Sequence, residues 1–232
     1  MKLTVSQIAR LIDLSAVRAE SDVAEVHALA EYAKKYQCVA AFALPSQTPL
    51  LVDLLADEPA IAVGGVVGFP SGGVTTSIKV AEARELLAMG CNELDMVVNI
   101  GLLRSGRDEQ VRADIRAVVE VGGGAPVKVI LECHHLTDEQ IRKGCELSIA
   151  AGAAYVKTGT GWAPTGATPQ SVSLMKQCVG DAVGIKAAGG VRSLEMLVEL
   201  YRCGARRFGI GLNSATAIFQ QCAALPGAAV EL

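Results

Sequence analysis

Val127-Lys128-Val129-Ile130-Leu131-Glu132 and Ala154-Tyr155-Val156-Lys157-Thr158 are two short apolar runs, each carrying a lysine. Between them stand Thr137 and, three residues on, Gln140, the signature of a helix capping box, followed by an amphipathic stretch. Strand, capped helix, strand at this spacing predicts a right-handed crossover joining two parallel strands. Both runs are apolar almost throughout, as parallel strands covered on both faces are.

The same unit recurs in both directions along the chain. Further runs span Cys38–Leu44, Ala62–Phe69, Glu93–Asn99, Val183–Ala187 and Arg206–Gly209, with a weaker one at Leu11–Leu14 after a short opening helix from Ser6. Successive runs start 23 to 34 residues apart. Thr168 with Pro169, and Ser193 with Gly204, punctuate two more helices. Eight such units predict an α/β fold, a (β/α)8 TIM barrel with a short N-terminal helix, occupying residues 1–232 as one domain. An open doubly wound sheet is the competing architecture.

Composition narrows the function classes. The 232 residues are 51% hydrophobic, with 21 Lys+Arg against 24 Asp+Glu, which is unlike a disordered chain and offers no basic face for nucleic acid. No apolar run reaches membrane-spanning length and the start has no secretion pattern, so a cytoplasmic protein is expected. The seven dispersed cysteines form no C-x-x-C pair and read as reduced thiols. His134 and His135 lack the spacing of a metal-ligand pair, so no metal is expected. No Ser-His-Asp arrangement, Walker A motif or G-x-G-x-x-G turn stands in the sequence.

In a barrel, chemistry belongs at the C-terminal strand ends, so polar residues on the strands are the candidates. They are Asp13, Asp95, Lys128, Glu132, Lys157 and Lys186. Lysines in apolar strands are either paired or functional. Lys157 and Lys186 end successive strands, and mutual repulsion with desolvation would free one of them of its proton, leaving an amine able to form a Schiff base. The competing reading is a structural ion network that ties the two lysines to Asp95 and Asp13. Thr158-Gly159-Thr160-Gly161, Ala187-Ala188-Gly189-Gly190-Val191-Arg192 and Gly209-Ile210-Gly211 are glycine turns at the same end, suited to holding a phosphate on backbone amides. Trp162 reads as a lid, a pocket wall or packing, and His27 as packing or surface.

These segments, with Val67-Gly68-Phe69-Pro70-Ser71-Gly72, resemble the deoxyribose-phosphate aldolases from about Leu11 to Ser214. The resemblance implies a class I aldolase that reversibly cleaves 2-deoxy-D-ribose 5-phosphate to acetaldehyde and D-glyceraldehyde 3-phosphate, a carbon–carbon lyase of deoxyribonucleotide catabolism needing no cofactor. It implies Lys157 as the Schiff-base lysine, Lys186 as the neighbour that depresses its pKa, and Asp95 as the proton-transfer carboxylate. Asp13 and Lys128 fall near that site, and Gly159, Gly161, Gly189, Gly190, Arg192, Gly209 and Gly211 fall where the family binds phosphate. The partner is then a small sugar phosphate or aldehyde, and a homo-oligomer is expected.

The chain departs from the family pattern at Asp13-Leu14-Ser15, at Ala41-Phe42 where a cysteine is common, and at Trp162 after the glycine turn. Gly211 and Leu212 stand where the family has two serines. Two alternatives therefore stay open: a related aldolase acting on a different, unphosphorylated aldehyde, and a barrel that binds a sugar phosphate without turnover.

Overall fold

The computed structural model describes residues 2–232. It opens with β1 (Lys2–Thr4) and α1 (Val5–Ala9), followed by β2 (Ile12–Ala16), α2 (Val23–Tyr36), β3 (Ala40–Ala43) and α3 (Thr48–Leu54). Next come β4 (Ala62–Val67), α4 (Thr76–Ala88), β5 (Glu93–Val97), α5 (Ile100–Arg104), α6 (Asp108–Gly122), β6 (Val127–Ile130) and α7 (Asp138–Ala150). The last part holds β7 (Tyr155–Lys157), α8 (Pro169–Val179), β8 (Gly184–Ala188), α9 (Leu194–Arg202), β9 (Arg207–Ile210), α10 (Leu212–Ala223) and β10 (Ala229–Glu231).

Strands β2 to β9 pair in parallel and in chain order, and β9 pairs back onto β2, so the sheet is a closed eight-stranded barrel rather than an open one. Every predicted run holds a strand. Five are trimmed: Cys38–Leu44 keeps Ala40–Ala43 and Ala154–Thr158 keeps Tyr155–Lys157. The other three end later than read, at Ala16, Ala188 and Ile210. The helix signals act as read. Thr137 with Gln140 and Thr168 with Ser171 form capping boxes, and Ser193 accepts from the Met196 N–H.

Alternation along each strand divides the molecule into two cores. Ile12, Leu14, Leu94, Met96, Val127, Val129, Val156, Ile185 and Phe208 face outward and pack under the helices with Leu29, Leu86, Ile115 and Leu197. Each of these fully buried aliphatic or aromatic side chains contributes about 1.5–3 kcal/mol relative to exposure. The inward set is different in kind: Asp13, Glu93, Asp95, Lys128, Lys157 and Lys186 are buried beside a small apolar cluster of Ala40, Phe42 and Val66. Phe42 fits there because Gly64 has no side chain; a Cβ at 64 would lie 2.1 Å from its ring.

Two elements were not foreseen. Helix α5 interrupts the crossover after β5, and β1 with β10 makes an antiparallel ribbon, pairing Leu3 with Val230. The C-terminal segment is thereby tied to the N-terminus beside α10 and takes no part in lining the mouth cavity. The seven cysteines are all unpaired, four of them buried.

Candidate active site

The barrel interior holds seven ionisable groups that touch one another in a continuous chain. Asp95 lies at its centre, fully buried, with Lys157 Nζ at 2.7 Å and Lys186 Nζ at 2.5 Å from its Oδ2, and Lys128 Nζ at 3.1 Å from its Oδ1. Lys186 also reaches Asp13 Oδ2 at 2.5 Å, and Lys128 reaches Glu93 Oε1 at 2.8 Å. The Arg207 guanidinium closes the loop on the far side, 2.6 Å from Asp13 and 2.8 Å from Glu93. Parallel register produces this arrangement, since Asp95 stands opposite Lys128 and Lys157 opposite Lys186 on adjoining strands.

Counting charge decides what the cluster can do. Three carboxylates, Asp13, Glu93 and Asp95, face four cations, Lys128, Lys157, Lys186 and Arg207. Burial penalises the unmatched cation, and one proton is the cheapest thing to lose. It leaves from Lys157: burial, opposed by Asp95 and reinforced by the nearby Lys186 ammonium, pulls its pKa down to about 8. Asp95 is lowered as well, but by charge and against burial. Burial alone would raise it, but Lys128, Lys157 and Lys186 hold its carboxyl well below the usual range. Asp13 is likewise lowered, by Lys186, Lys128 and Arg207 against its own desolvation. Lys128, beside Asp95, Asp13 and Glu93, is raised despite its burial and stays charged. The ion network and the reactive amine are thus one object.

Lys157, 6% exposed, and Lys186 form the floor of a cavity of about 520 Å³ at the C-terminal end of the strands. Gly161, Gly189, Gly190, Arg192, Gly209 and Gly211 line its wall, together with Ser15, Trp162 and Ser214. Asp13, Asp95 and Lys128 sit beneath the floor, against the two lysines and off the cavity wall. Gly159 is absent from the cavity wall: it faces Glu132, whose Oε1 would lie 2.6 Å from a Cβ there. Glu132 lies two residues past the end of β6 in the left-handed region at φ 56°, so the alternation that holds for Lys128 and Ile130 does not extend to it. Its carboxylate accepts the Thr160 N–H and hydroxyl, pinning the turn that carries Gly161.

Gly189 and Gly190 have φ of 83° and 80°, which glycine adopts without strain, and this turns their amides along the wall. The loop after β7 folds onto them so closely that a Cβ at Gly166 would lie 2.1 Å from the Gly189 carbonyl oxygen. Gly211 is the N-cap of α10 and supplies no side-chain acceptor, so the first-turn amides of that helix are left without a cap. Trp162 is a wall residue, with its indole N–H donating to Val17 O at 2.8 Å and its ring edge-on to Phe69. His134 and His135 stand apart from this cavity, His134 Nδ1 being 2.6 Å from Thr165 Oγ1.

Sequence reasoning missed Glu93, Arg207 and Arg18. Parity was the available signal for the first two: Glu93 shares a face with Asp95, and Arg207 with Gly209. Arg18 lies in the loop after β2, where no periodicity points.

Comparison with known proteins agrees with the geometry. Residues 10–221 match the model of the DeoC/LacD family aldolases. The chain is 49% identical over 230 residues, 99% of its length and 93% of the relative's, to the deoxyribose-phosphate aldolase of Sinorhizobium medicae. To that of Klebsiella pneumoniae it is 46% identical over 223 residues, 95% and 90% of the two chains. The tetrameric deoxyribose phosphate aldolase of Aeropyrum pernix superposes with a TM-score of 0.87 at 29% identity, covering 96% of this chain and 94% of that one. The chain, a closed parallel barrel with a buried lysine–carboxylate cluster inside it, belongs to the DeoC/LacD aldolase family.

Proposed function

We propose that the protein is a class I aldolase that reversibly cleaves 2-deoxy-D-ribose 5-phosphate to acetaldehyde and D-glyceraldehyde 3-phosphate. The observation that carries this reading is Lys157, a buried amine that lines the cavity floor 2.7 Å from an ionised carboxylate, with its pKa lowered to about 8. The names borne by the Sinorhizobium and Klebsiella relatives supply the substrate.

Neutral Lys157 adds through its nitrogen lone pair to the C1 aldehyde of the open-chain sugar, and loss of water gives an iminium. Asp95 takes the amine proton in transit and, through a water, the proton of the C3 hydroxyl. The C2–C3 bond then breaks, its electrons moving into the iminium to leave an enamine while C3 becomes the aldehyde of the three-carbon product. Protonation of the enamine at C2 and hydrolysis release acetaldehyde and restore Lys157. Burial together with Lys186 lowers the pKa of Lys157 and so raises its neutral fraction between turns, and Arg207, Glu93, Asp13 and Lys128 hold the cluster in register.

The phosphate is read as lying against Gly189, Gly190, Gly161 and Arg192, with the uncapped N-terminus of α10 and Ser214 standing in for the hydroxyls that Gly211 and Leu212 lack. Gly211 and Leu212 in place of the serine pair also motivate the second reading, an unphosphorylated aldehyde substrate. Self-association is inferred from the tetramer of the Aeropyrum pernix protein, and light scattering tests it.

Borohydride trapping with 2-deoxyribose 5-phosphate, and in parallel with unphosphorylated 2-deoxyribose, followed by peptide mapping, tests the reading. A stable adduct on Lys157 that forms far faster from the phosphate ester is expected. Equal adduct from both sugars selects the second reading, and no adduct on Lys157 overturns the mechanism.

A further inference from the structure

We propose that Arg18 is a specificity-determining residue of this site: its guanidinium binds the distal phosphate of the substrate beside the backbone cradle, next to Gly161. The proposal rests on the reading above that the substrate is a phosphate monoester. Closure of the barrel brings β2 beside β9, so the loop that follows β2 stands next to Gly209–Gly211. A Cβ at Gly211 would lie 3.7 Å from Ser15 O, which shows how near the end of β2, where that loop begins, comes to the start of α10.

The cavity wall has four cationic side chains, Arg18, Lys157, Lys186 and Arg192. The two lysines are spent on Asp95 and Asp13. The two arginines at the rim are what remains to face a dianion. Arg18 is half-exposed, and the acidic group near it, Glu20, is 3.6 Å from its Nε on an exposed side chain, a weak and screened pairing.

Arg18 is also held in place before any ligand arrives. Its Nη1 donates to the Gly161 carbonyl at 2.7 Å, and the guanidinium lies 5.4 Å from the centre of the Trp162 ring. Trp162 is fixed in turn by its bond to Val17 O and by the edge of Phe69. A guanidinium has five N–H donors, so one bond to Gly161 leaves others free, in the planar fork that matches two phosphate oxygens. The cation thus stands beside the wall where Gly211 and Leu212 provide no hydroxyl, and it supplies directed donors there.

The competing role is a latch: Arg18 could serve only to tie the loop after β2 to the loop after β7. Charge separates the two. Arg18→Gln keeps an amide donor for Gly161 O and removes the cation, whereas Arg18→Lys keeps the cation and loses the fork. Steady-state cleavage of 2-deoxyribose 5-phosphate and of unphosphorylated 2-deoxyribose, with inorganic phosphate as competitive inhibitor, reads both roles. For Arg18→Gln, the ratio of kcat/KM between the phosphorylated and unphosphorylated sugars is expected to fall at least ten-fold, chiefly through KM, with the inhibition constant of phosphate rising in step. Arg18→Lys recovers part of both. An equal loss on the two sugars, or an unchanged ratio and phosphate inhibition, overturns the assignment. A wild-type enzyme with a strong phosphate preference that Arg18→Gln retains sinks Arg18 alone. A wild-type enzyme with neither phosphate preference nor phosphate inhibition sinks the substrate reading and Arg18's role with it.

Discussion

Replacing Lys186 with Met removes a positive charge from beside Lys157 while leaving a side chain of similar length. Both ammonium nitrogens lie within 2.7 Å of the same Asp95 oxygen, so they are about 5 Å apart at most. At an effective dielectric constant near 20, two like charges at that separation repel by about 3 kcal/mol, which corresponds to roughly two pH units. Lys157 titrates near pH 8 in the native cluster, so in Lys186→Met the acid limb of kcat/KM is expected to move up toward pH 10. At pH 7 the neutral fraction of Lys157 then falls by roughly a hundred-fold. The assay is initial-rate cleavage of 2-deoxyribose 5-phosphate between pH 6 and 10.5, paired with the rate of borohydride-trapped imine at each pH. Arg207 still holds Asp13 at 2.6 Å in the variant, so the fold is expected to survive, and a urea melt checks this. A folded Lys186→Met protein whose acid limb stays near pH 8 would refute the electrostatic account, since desolvation alone would then explain the depressed pKa.

Three other outcomes follow from the same geometry. Arg207→Met strips Asp13 and Glu93 of a shared cation inside the barrel and is expected to cost about 3–5 kcal/mol in urea unfolding, because buried charge is left uncompensated. The folded-state pKa values of Asp13 and Asp95 are depressed, so their stabilisation is complete above the unfolded carboxyl value of about 4 and is lost as pH falls from there through the folded values. The urea midpoint should therefore drop steeply below about pH 4, and a midpoint flat between pH 5 and 3 would contradict the cluster. Gly166→Ala forces the loop after β7 away from Gly189, and the displaced cradle is expected to raise KM for the phosphate ester by about ten-fold or more, measured against a thermal melt that reports folding.

Much of this protein is legible one-dimensionally. The alternation of strand-length apolar runs with capped helices dictates eight parallel crossovers, because strands of that kind bury both faces only beneath helices. The lysines and carboxylates on those strands announce a site, since an apolar strand tolerates them only at a cost that function or pairing must offset. Glu132 shows where such reading stops: alternation predicts it on the face of Lys128, but its left-handed backbone turns it onto Thr160.

Closure followed from the count of eight units, but which residues it would bring together did not, because the pairing of β9 with β2 joins residues nearly two hundred positions apart and leaves no local trace. That pairing brings Arg207 onto Asp13 and stands the Arg18 loop beside Gly211. The sequence by itself determined which residues could ionise, which strands would carry them and, Glu132 excepted, which face each would take, since these follow from alternation and from the poor fit of charge to an apolar strand. Only the tertiary structure decided that four cations share three carboxylates within one desolvated interior, and that excess, a property of the closed barrel rather than of any segment, leaves Lys157 an amine free to react.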